Sequence, residues 1–302
     1  MGDHVFLPNS SAQYDLVKYI LDFSSEENWT IDIVTNGVDL DKYTDLLSKY
    51  NISQIQVTID GPKHVHDQRK KFLNVTGSFN SIVFSVEKAL HRGLPVVSRI
   101  NVDGNNIDYL LDLATFFDGN DWFNYRFGAY LGLTFDFFGQ YQYQIKPHEV
   151  LEKVLSLRSE HSLMKSLSLE AWEPLQFILY PYFKGEPRLP KFSYCGAQRS
   201  EVSLDLNGKV FICADSVGRK EYVMGEYSDS IYLSSKVNDI RNFDVTQTTT
   251  ACKDCRYQLL CGGGCWFRRN MTKNADCAEY LQPLLHTAIK YLHYHPEVFN
   301  RI

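Results

Sequence analysis

The chain has 302 residues, of which 44% are hydrophobic and 14% aromatic, and its net charge is −5. This length accommodates one large or two ordinary globular domains. The acidic balance argues against nucleic acid or an anionic membrane as the main partner. The sequence contains no run of eighteen apolar residues, as a membrane span requires, and no basic segment followed by an apolar one at its start. We therefore expect a cytoplasmic protein, in which cysteines stay reduced.

Helical and β-rich segments alternate in the first half of the chain. The predicted helices cover 14–24, 39–50, 79–92 and 107–117, and the predicted strands cover 30–35, 55–59, 95–102 and 124–133. This alternation indicates parallel β/α units, in which ligands bind at the carboxyl ends of the strands. Polar residues stand at three such ends, so we expect a site there; the alternative is that they only form turns. They are Thr35-Asn36, Thr58, Asp60 and Arg99 with Asn101.

The second half begins with a bridge and ends with a helix. Residues 145–185 are helical and irregular in pattern, and prolines mark them as a connecting segment. Asn207-Gly208 lies between two short β-rich runs and predicts a β-hairpin over 202–213. A final helix is predicted over 279–294.

All seven cysteines lie in the last third of the chain. Four of them form a Cys-x2-Cys-x5-Cys-x3-Cys run that contains three consecutive glycines, at 262–264. Cysteines scattered through a core would not segregate in this way, so we expect a metal-binding module. One structural zinc would use four cysteines and leave three over, whereas seven fit two iron–sulfur clusters; zinc and a purely structural thiol set remain alternatives. The candidate metal ligands are Cys195, Cys213, Cys252, Cys255, Cys261, Cys265 and Cys277.

The cysteine spacing from about 195 to 277 resembles the seven-cysteine SPASM domain of radical S-adenosylmethionine (SAM) enzymes. This resemblance implies two auxiliary [4Fe-4S] clusters. One would have the four ligands Cys252, Cys255, Cys261 and Cys277. The other would have Cys195, Cys213 and Cys265, with one iron open or bound by another residue type.

Upstream motifs follow the order of the same family and imply a partial (β/α) barrel. They are Thr35-Asn36-Gly37, Gln56–Pro62, His66–Arg69, Gly77-Ser78-Phe79 and Arg99–Val102 with Asn106. The resemblance also implies that a set of residues contacts the SAM cofactor. Three of them differ from the residue that is usual in the family. Asp3 stands for a usual Glu, Thr58 for Ser, and Lys70 for an Arg, and lysine cannot make a bidentate fork; the neighbouring Arg69 could compensate. The candidate cofactor-binding residues are Gly2, Asp3, Asn36, Thr58, Asp60, Lys70 and Arg99.

One family motif is missing from the sequence. Radical SAM enzymes hold their SAM-cleaving cluster in a Cys-x3-Cys-x2-Cys loop, and the first 194 residues contain no cysteine. Three explanations stay open: a truncated radical enzyme, a variant that acts with a partner, or a degenerate homologue that only binds a peptide. In each case these residues alone are not expected to cleave SAM.

The sequence thus predicts an α/β protein with three parts. They are an incomplete parallel barrel over 1–145, a helical bridge over 146–190, and a SPASM-like cluster domain with a C-terminal helix over 191–302. The implied function is maturation of a ribosomally made peptide or protein, beside a partner such as an ATP-grasp ligase or a radical-SAM subunit. The alternatives are a non-catalytic scaffold subunit that binds peptide and a zinc-stabilised binding protein. His64 and His66 are expected to be loop residues, and an aromatic cluster over 135–143 to belong to a core or an interface.

Overall fold

The computed structural model describes residues 11–73, 76–134, 140–247, 250–272 and 280–299. It divides into two compact units. The first comprises Met1–Phe135, Gln142–Glu173 and His286–Ile302, and the second comprises Asp136–Tyr141 and Pro174–Leu285. The domain boundaries expected from the sequence remain predictions. No helix in the described ranges is long and apolar enough to cross a membrane.

The first unit is built on a five-stranded sheet whose neighbouring strands are all parallel and follow chain order. This arrangement confirms the predicted α/β fold. The fifth strand was not predicted, because two residues are too few to show a β pattern. The strands are β1 Ile31–Val34, β2 Ile52–Thr58, β3 Val96–Val102, β4 Phe127–Leu133 and β5 Leu167–Ser168.

Among the described residues up to Lys184 there are seven α-helices, of which six belong to the first unit and the seventh lies almost wholly in the second. The segment predicted as one helix over 39–50 is a 3₁₀ turn, Leu40–Lys42, followed by one short helix, because several of its N–H groups bond three residues back. The helices are α1 Ser11–Glu26, α2 Thr44–Leu47, α3 Lys63–Arg69, α4 Phe79–His91, α5 Leu110–Gly119, α6 Pro147–Glu160 and α7 Glu173–Lys184.

The two faces of the parallel sheet differ in character. On one face the side chains of β2, β3 and β4 are mostly apolar and buried, for example Val57, Ile100 and Leu131. On the other face the side chains are mostly polar and only half-buried, as at Thr58 and Arg99. Parallel sheets are usually buried on both faces. The polar face is therefore the natural place for a ligand.

A buried arginine joins distant parts of the first unit. Arg158 on α6 donates hydrogen bonds to the carbonyl of Leu167 in β5, at 2.6 Å, and to that of Val298, at 3.1 Å. Its side chain is almost fully buried, and this burial lowers its pKa to about 10. The guanidinium thus fixes the 3₁₀ turn Pro296–Phe299 to the end of the sheet.

The second unit contains a four-stranded antiparallel sheet in chain order. Its first two strands form the predicted hairpin, in which Gly208 takes a φ of +77°. The hairpin pairs on with two further strands, so it is part of a larger sheet than expected. The strands are β6 Ser203–Leu204, β7 Lys209–Phe211, β8 Val223–Tyr227 and β9 Ile231–Leu233; the helices are α8 Lys236–Arg241, α9 Thr250–Lys253, α10 Gln258–Cys261, α11 Trp266–Thr272 and, continuing into the first unit, α12 Leu281–Tyr294.

Candidate functional site

Predicted site residues of neighbouring strands fall into one row across the polar face of the sheet. The strand register places Thr58 opposite Arg99, Arg99 opposite Tyr130, and Tyr130 opposite Ser168. The sequence had suggested two of these, Thr58 and Arg99. Tyr130 was missed because a tyrosine inside a strand is more often a packing residue, and only the register reveals its neighbours.

Arg99 is held flat against the sheet. Its Nε donates to Asn101 Oδ1 at 2.9 Å. Gly132 lies directly beneath, because a Cβ at that position would lie 3.0 Å from the Arg99 Nε. The glycine therefore leaves the space that the guanidinium occupies.

Tyr130 stands next to this arginine and is bonded to another side chain of the same face. Its hydroxyl donates to Gln56 Oε1 at 2.5 Å. Burial raises the pKa of the Tyr130 phenol, and the nearby Arg99 opposes that rise. The phenol therefore stays protonated at neutral pH and serves as a hydrogen-bond donor.

Asp60, just beyond β2, is buried and ties the strand ends together. Its Oδ1 accepts hydrogen bonds from Asn101 N at 2.8 Å and from Asn101 Nδ2 at 3.2 Å. Its backbone carbonyl accepts from Asn106 Nδ2 at 2.7 Å. All these partners are internal, so the structure shows Asp60 as a residue that orders the loops around the site. Its contact with the cofactor stays a prediction.

The two neighbouring cations Arg69 and Lys70 have different surroundings. The Arg69 guanidinium lies 3.4 Å from Asp60 Oδ2 and 2.7 Å from Asp103 Oδ2, and both aspartates are buried. Lys70, at the end of α3, is exposed. Arg69 is thus committed to two carboxylates, and Lys70 is the one of the two whose side chain faces solvent.

His66 is neither exposed nor in a loop, contrary to expectation. It lies in α3 and is completely buried, because the turn after Pro62 starts a helix that the sequence pattern did not indicate. Its Nδ1 accepts the Asp60 N–H at 3.2 Å, and its Nε2 lies 3.1 Å from Ser78 Oγ, which donates to the Lys70 carbonyl. Burial lowers the pKa of His66 to about 4, so the ring is neutral and Nε2 carries the proton. His64 is also in α3 but is exposed.

The remaining candidate cofactor contacts are less informative. Asn36 is exposed, and its Oδ1 accepts the Val38 N–H at 3.0 Å, so its side chain also shapes the turn after β1. Gly2 and Asp3 lie outside the described residues, as do Cys277 and residues 135–139 of the aromatic cluster.

Six cysteines are described in the second unit, and all are half-buried. Cys195 and Cys213 pack, together with Trp266, against one small core of five apolar side chains. Burial raises the pKa of Cys195, and hydrogen bonds to its sulfur from the N–H groups of Ala197 and Gln198 oppose that rise. Trp266, which directly follows Cys265, thus packs against the same core as Cys195 and Cys213.

The other cysteines lie in consecutive turns. The Cys255 N–H donates to the Cys252 carbonyl at 3.1 Å, and Gln258 Nε2 donates to that same carbonyl at 3.0 Å. Cys261 ends α10, which begins at Gln258. Within the described ranges, no three histidine, cysteine or acidic side chains lie close enough together to hold a single metal ion.

The glycine triplet brings two cysteine-bearing segments together. Residues 262, 263 and 264 have φ values of +68°, +87° and +77°. A Cβ on Gly262 would lie 2.5 Å from the carbonyl oxygen of Ser193, two residues before Cys195. Lys191 N also donates to the Leu259 carbonyl at 2.7 Å. The backbone that leads to Cys195 therefore runs directly against the backbone around Cys261.

Comparison with known proteins shows what this chain is similar to. Residues 4–117 match the model of the radical SAM superfamily. The chain is 25% identical over 255 residues to a cysteine-type anaerobic sulfatase-maturating enzyme of Clostridium novyi (strain NT). That match covers 80% of this chain and 64% of the relative, so the chain spans slightly less than two thirds of the relative's length.

Solved structures show the same fold. Native anSMEcpe with bound AdoMet and the Kp18Cys peptide matches 95% of this chain and 81% of its own, with a TM-score of 0.70 and 17% identity. SuiB of Streptococcus suis, bound to its precursor peptide SuiA, matches 85% of this chain and 59% of its own, with a TM-score of 0.56 and 12% identity. Residues 4–117 are thus similar to the radical SAM superfamily, and the chain has the fold of anSMEcpe and SuiB.

Proposed function

We propose that this protein takes part in the maturation of a ribosomally made peptide or protein, as a radical SAM/SPASM-type protein that carries two auxiliary [4Fe-4S] clusters. The observation that carries the proposal is the polar, half-buried face of the parallel sheet, where Thr58, Arg99 and Tyr130 form one row. The relatives support it, because the curated one is a sulfatase-maturating enzyme and SuiB binds a precursor peptide.

The thiol groups of the second unit suit iron–sulfur clusters. Such clusters accept and donate single electrons when bound. Cys195, Cys213 and Cys265 would hold one, in keeping with the shared core of Cys195, Cys213 and Trp266. Cys252, Cys255 and Cys261, together with Cys277, would hold the other. Iron binds the thiolate form. Burial raises the pKa of Cys195, and the N–H groups of Ala197 and Gln198 partly offset that rise.

The residues of the first unit suit the binding of SAM. Arg99 and the exposed Lys70 are the two cations that would meet its carboxylate. The Arg99 guanidinium is already oriented by Asn101 and by the space above Gly132. Thr58 would donate a hydrogen bond from the same row, beside Tyr130, whose proton is donated to Gln56. Asn36, Gly2 and Asp3 would complete the site, and Asp60 would hold its loops in place.

The 302 residues supply no ligands for the SAM-cleaving cluster, since no cysteine precedes Cys195. We propose that the protein acts on a precursor peptide or protein, beside a partner such as a radical-SAM subunit or an ATP-grasp ligase. Neither nucleic acid nor a membrane is a proposed partner. A reducing cytoplasm would keep the thiols available for iron.

The proposal is tested by measuring iron, sulfide and zinc after anaerobic purification and reconstitution. Two [4Fe-4S] clusters require about eight irons and about eight sulfides per chain. About one zinc and no iron would instead support a zinc-stabilised binding protein. If clusters are present but peptide binding is the same in their oxidised and reduced states, and no SAM-derived product forms with a partner, a scaffold role is the better account.

A further inference from the structure

One buried side-chain donor beside the cysteines has no acceptor. Gln198 follows Cys195 in the 3₁₀ turn Gly196–Gln198, and only 1% of its surface is exposed. Its Oε1 accepts the Tyr194 N–H at 2.8 Å. This bond identifies the other end of the carboxamide as Nε2. That nitrogen is completely buried and has no hydrogen-bond partner among the residues that the structure describes.

An unsatisfied buried donor calls for an explanation. Leaving one without an acceptor costs about 1 to 3 kcal/mol, and most buried polar atoms in native proteins are paired. The carboxamide is anchored to the N–H of Tyr194, the residue before Cys195. In the same turn the Gln198 N–H donates to the Cys195 carbonyl at 3.1 Å. Gln198 is therefore held to the 194–195 segment by both its backbone and its side chain.

We propose that the Gln198 Nε2 donates a hydrogen bond to a sulfur of the iron–sulfur cluster bound at Cys195. This inference rests on the proposed function, which supplies the cluster. A donor to sulfur stabilises the more negative, reduced form of a cluster and so raises its reduction potential. Gln198 would act as a positioning and tuning residue of the cluster held by Cys195, Cys213 and Cys265.

The test is a redox titration of the reconstituted full-length chain, followed by electron paramagnetic resonance. Gln198→Glu keeps an acceptor for the Tyr194 N–H but replaces the NH₂ group by a carboxylate oxygen and adds a negative charge. Gln198→Met removes both polar groups without adding charge, so its shift reports the loss of the donor. We expect the midpoint potential of one cluster to become more negative in both variants, while the other cluster is unchanged. The second cluster thus serves as an internal reference. Gln176→Met should shift neither potential, because Gln176, a similarly buried glutamine whose Nε2 also has no partner among the described residues, lies on the cysteine-free helix α7.

The possible outcomes separate this inference from the proposed function. Clusters with the wild-type potential in both Gln198 variants would overturn the inference alone. The inference would also fail if Gln198→Met lost iron while Gln198→Glu kept both iron and the wild-type potential, since Gln198 would then only support Tyr194. A wild-type chain without iron would refute the proposed function, and the inference with it.

Discussion

At the scale of single residues, His66 makes the folded protein sensitive to acid. Its pKa is lowered from 6.5 to about 4, chiefly by burial, so between these values the unfolded chain binds a proton that the folded chain does not. Stability is therefore complete above pH 6.5 and is lost as the pH falls toward 4. The full loss from this group is about 3 kcal/mol.

Urea unfolding across this pH range measures the effect. His66→Gln removes the titrating ring, so the variant should show a flatter pH dependence than the wild type between pH 6.5 and 4. Equal slopes for the two proteins would mean that His66 is protonated in the folded state without cost.

Two glycines of one strand give a matched test of the Arg99 orientation. Gly128 and Gly132 lie on the polar face of β4, and neither has a positive φ. A Cβ on Gly132 would meet the Arg99 guanidinium, whereas a Cβ on Gly128 would have nothing within 4 Å. Gly132→Ala should weaken the binding of SAM about tenfold, because a charge-assisted hydrogen bond is worth about 1.5 to 3 kcal/mol.

Equilibrium binding of SAM to the three proteins checks this expectation. Gly128→Ala should bind as the wild type does. Equal weakening in both variants would point to a general disturbance of β4, and no weakening in either would remove Arg99 from the ligand site.

At the scale of elements, a substitution in the glycine triplet distinguishes the cost of a steric clash from the cost of a positive φ. Gly262 and Gly218 both have positive φ values, of +68° and +84°, so alanine costs about 1 kcal/mol at either. Only Gly262 also faces a backbone, since an alanine Cβ there would lie 2.5 Å from Ser193 O, whereas the space at Gly218 is empty within 4 Å. Gly262→Ala should thus be destabilised by about 2 kcal/mol more and bind less iron.

Iron content and thermal unfolding of both variants measure the difference. Similar iron content in Gly262→Ala and Gly218→Ala would show that the approach of the 193–195 segment to Cys261 is not needed for cluster binding.

Sequence patterns predicted the long elements of the first unit well and the short ones poorly. β3 and α4 were recognised because their periodicity extends over seven and thirteen residues. β5 and α3 were missed, since a two-residue strand and a helix of seven residues that contains two histidines give little periodic signal. The antiparallel strands β8 and β9 are short too, and they are defined by pairing rather than by composition.

The candidate site shows the same division. Thr58 and Arg99 were found through motifs near strand ends, and the register then placed them in one row. Tyr130 is recognised only through its neighbours in the strand register, which are distant in sequence. Gln198 is recognised only through its unpartnered Nε2, so residue type alone predicts neither. The assignment of the cysteines to two clusters is predicted from their spacing, and iron analysis tests it.

At the scale of the whole molecule, the cysteine distribution predicts that this chain does not cleave SAM alone. The 302 residues contain seven cysteines, all at or after position 195. Incubation with SAM and a strong reductant should therefore give no 5′-deoxyadenosine, even when the auxiliary clusters are complete. Product formation that is abolished by chelating iron would contradict this prediction. Addition of a radical-SAM partner is expected to restore the product.

The second unit interrupts the first in sequence, and this sets the order in which their segments are synthesised. Arg158 and its acceptor at Val298 are 140 residues apart, and most of the second unit is synthesised between them. At about 5 to 20 residues per second, the nascent chain needs roughly 7 to 28 seconds to cover that distance. Most of the cysteine-bearing unit is thus translated before Val298, the residue of the first unit whose carbonyl accepts from Arg158.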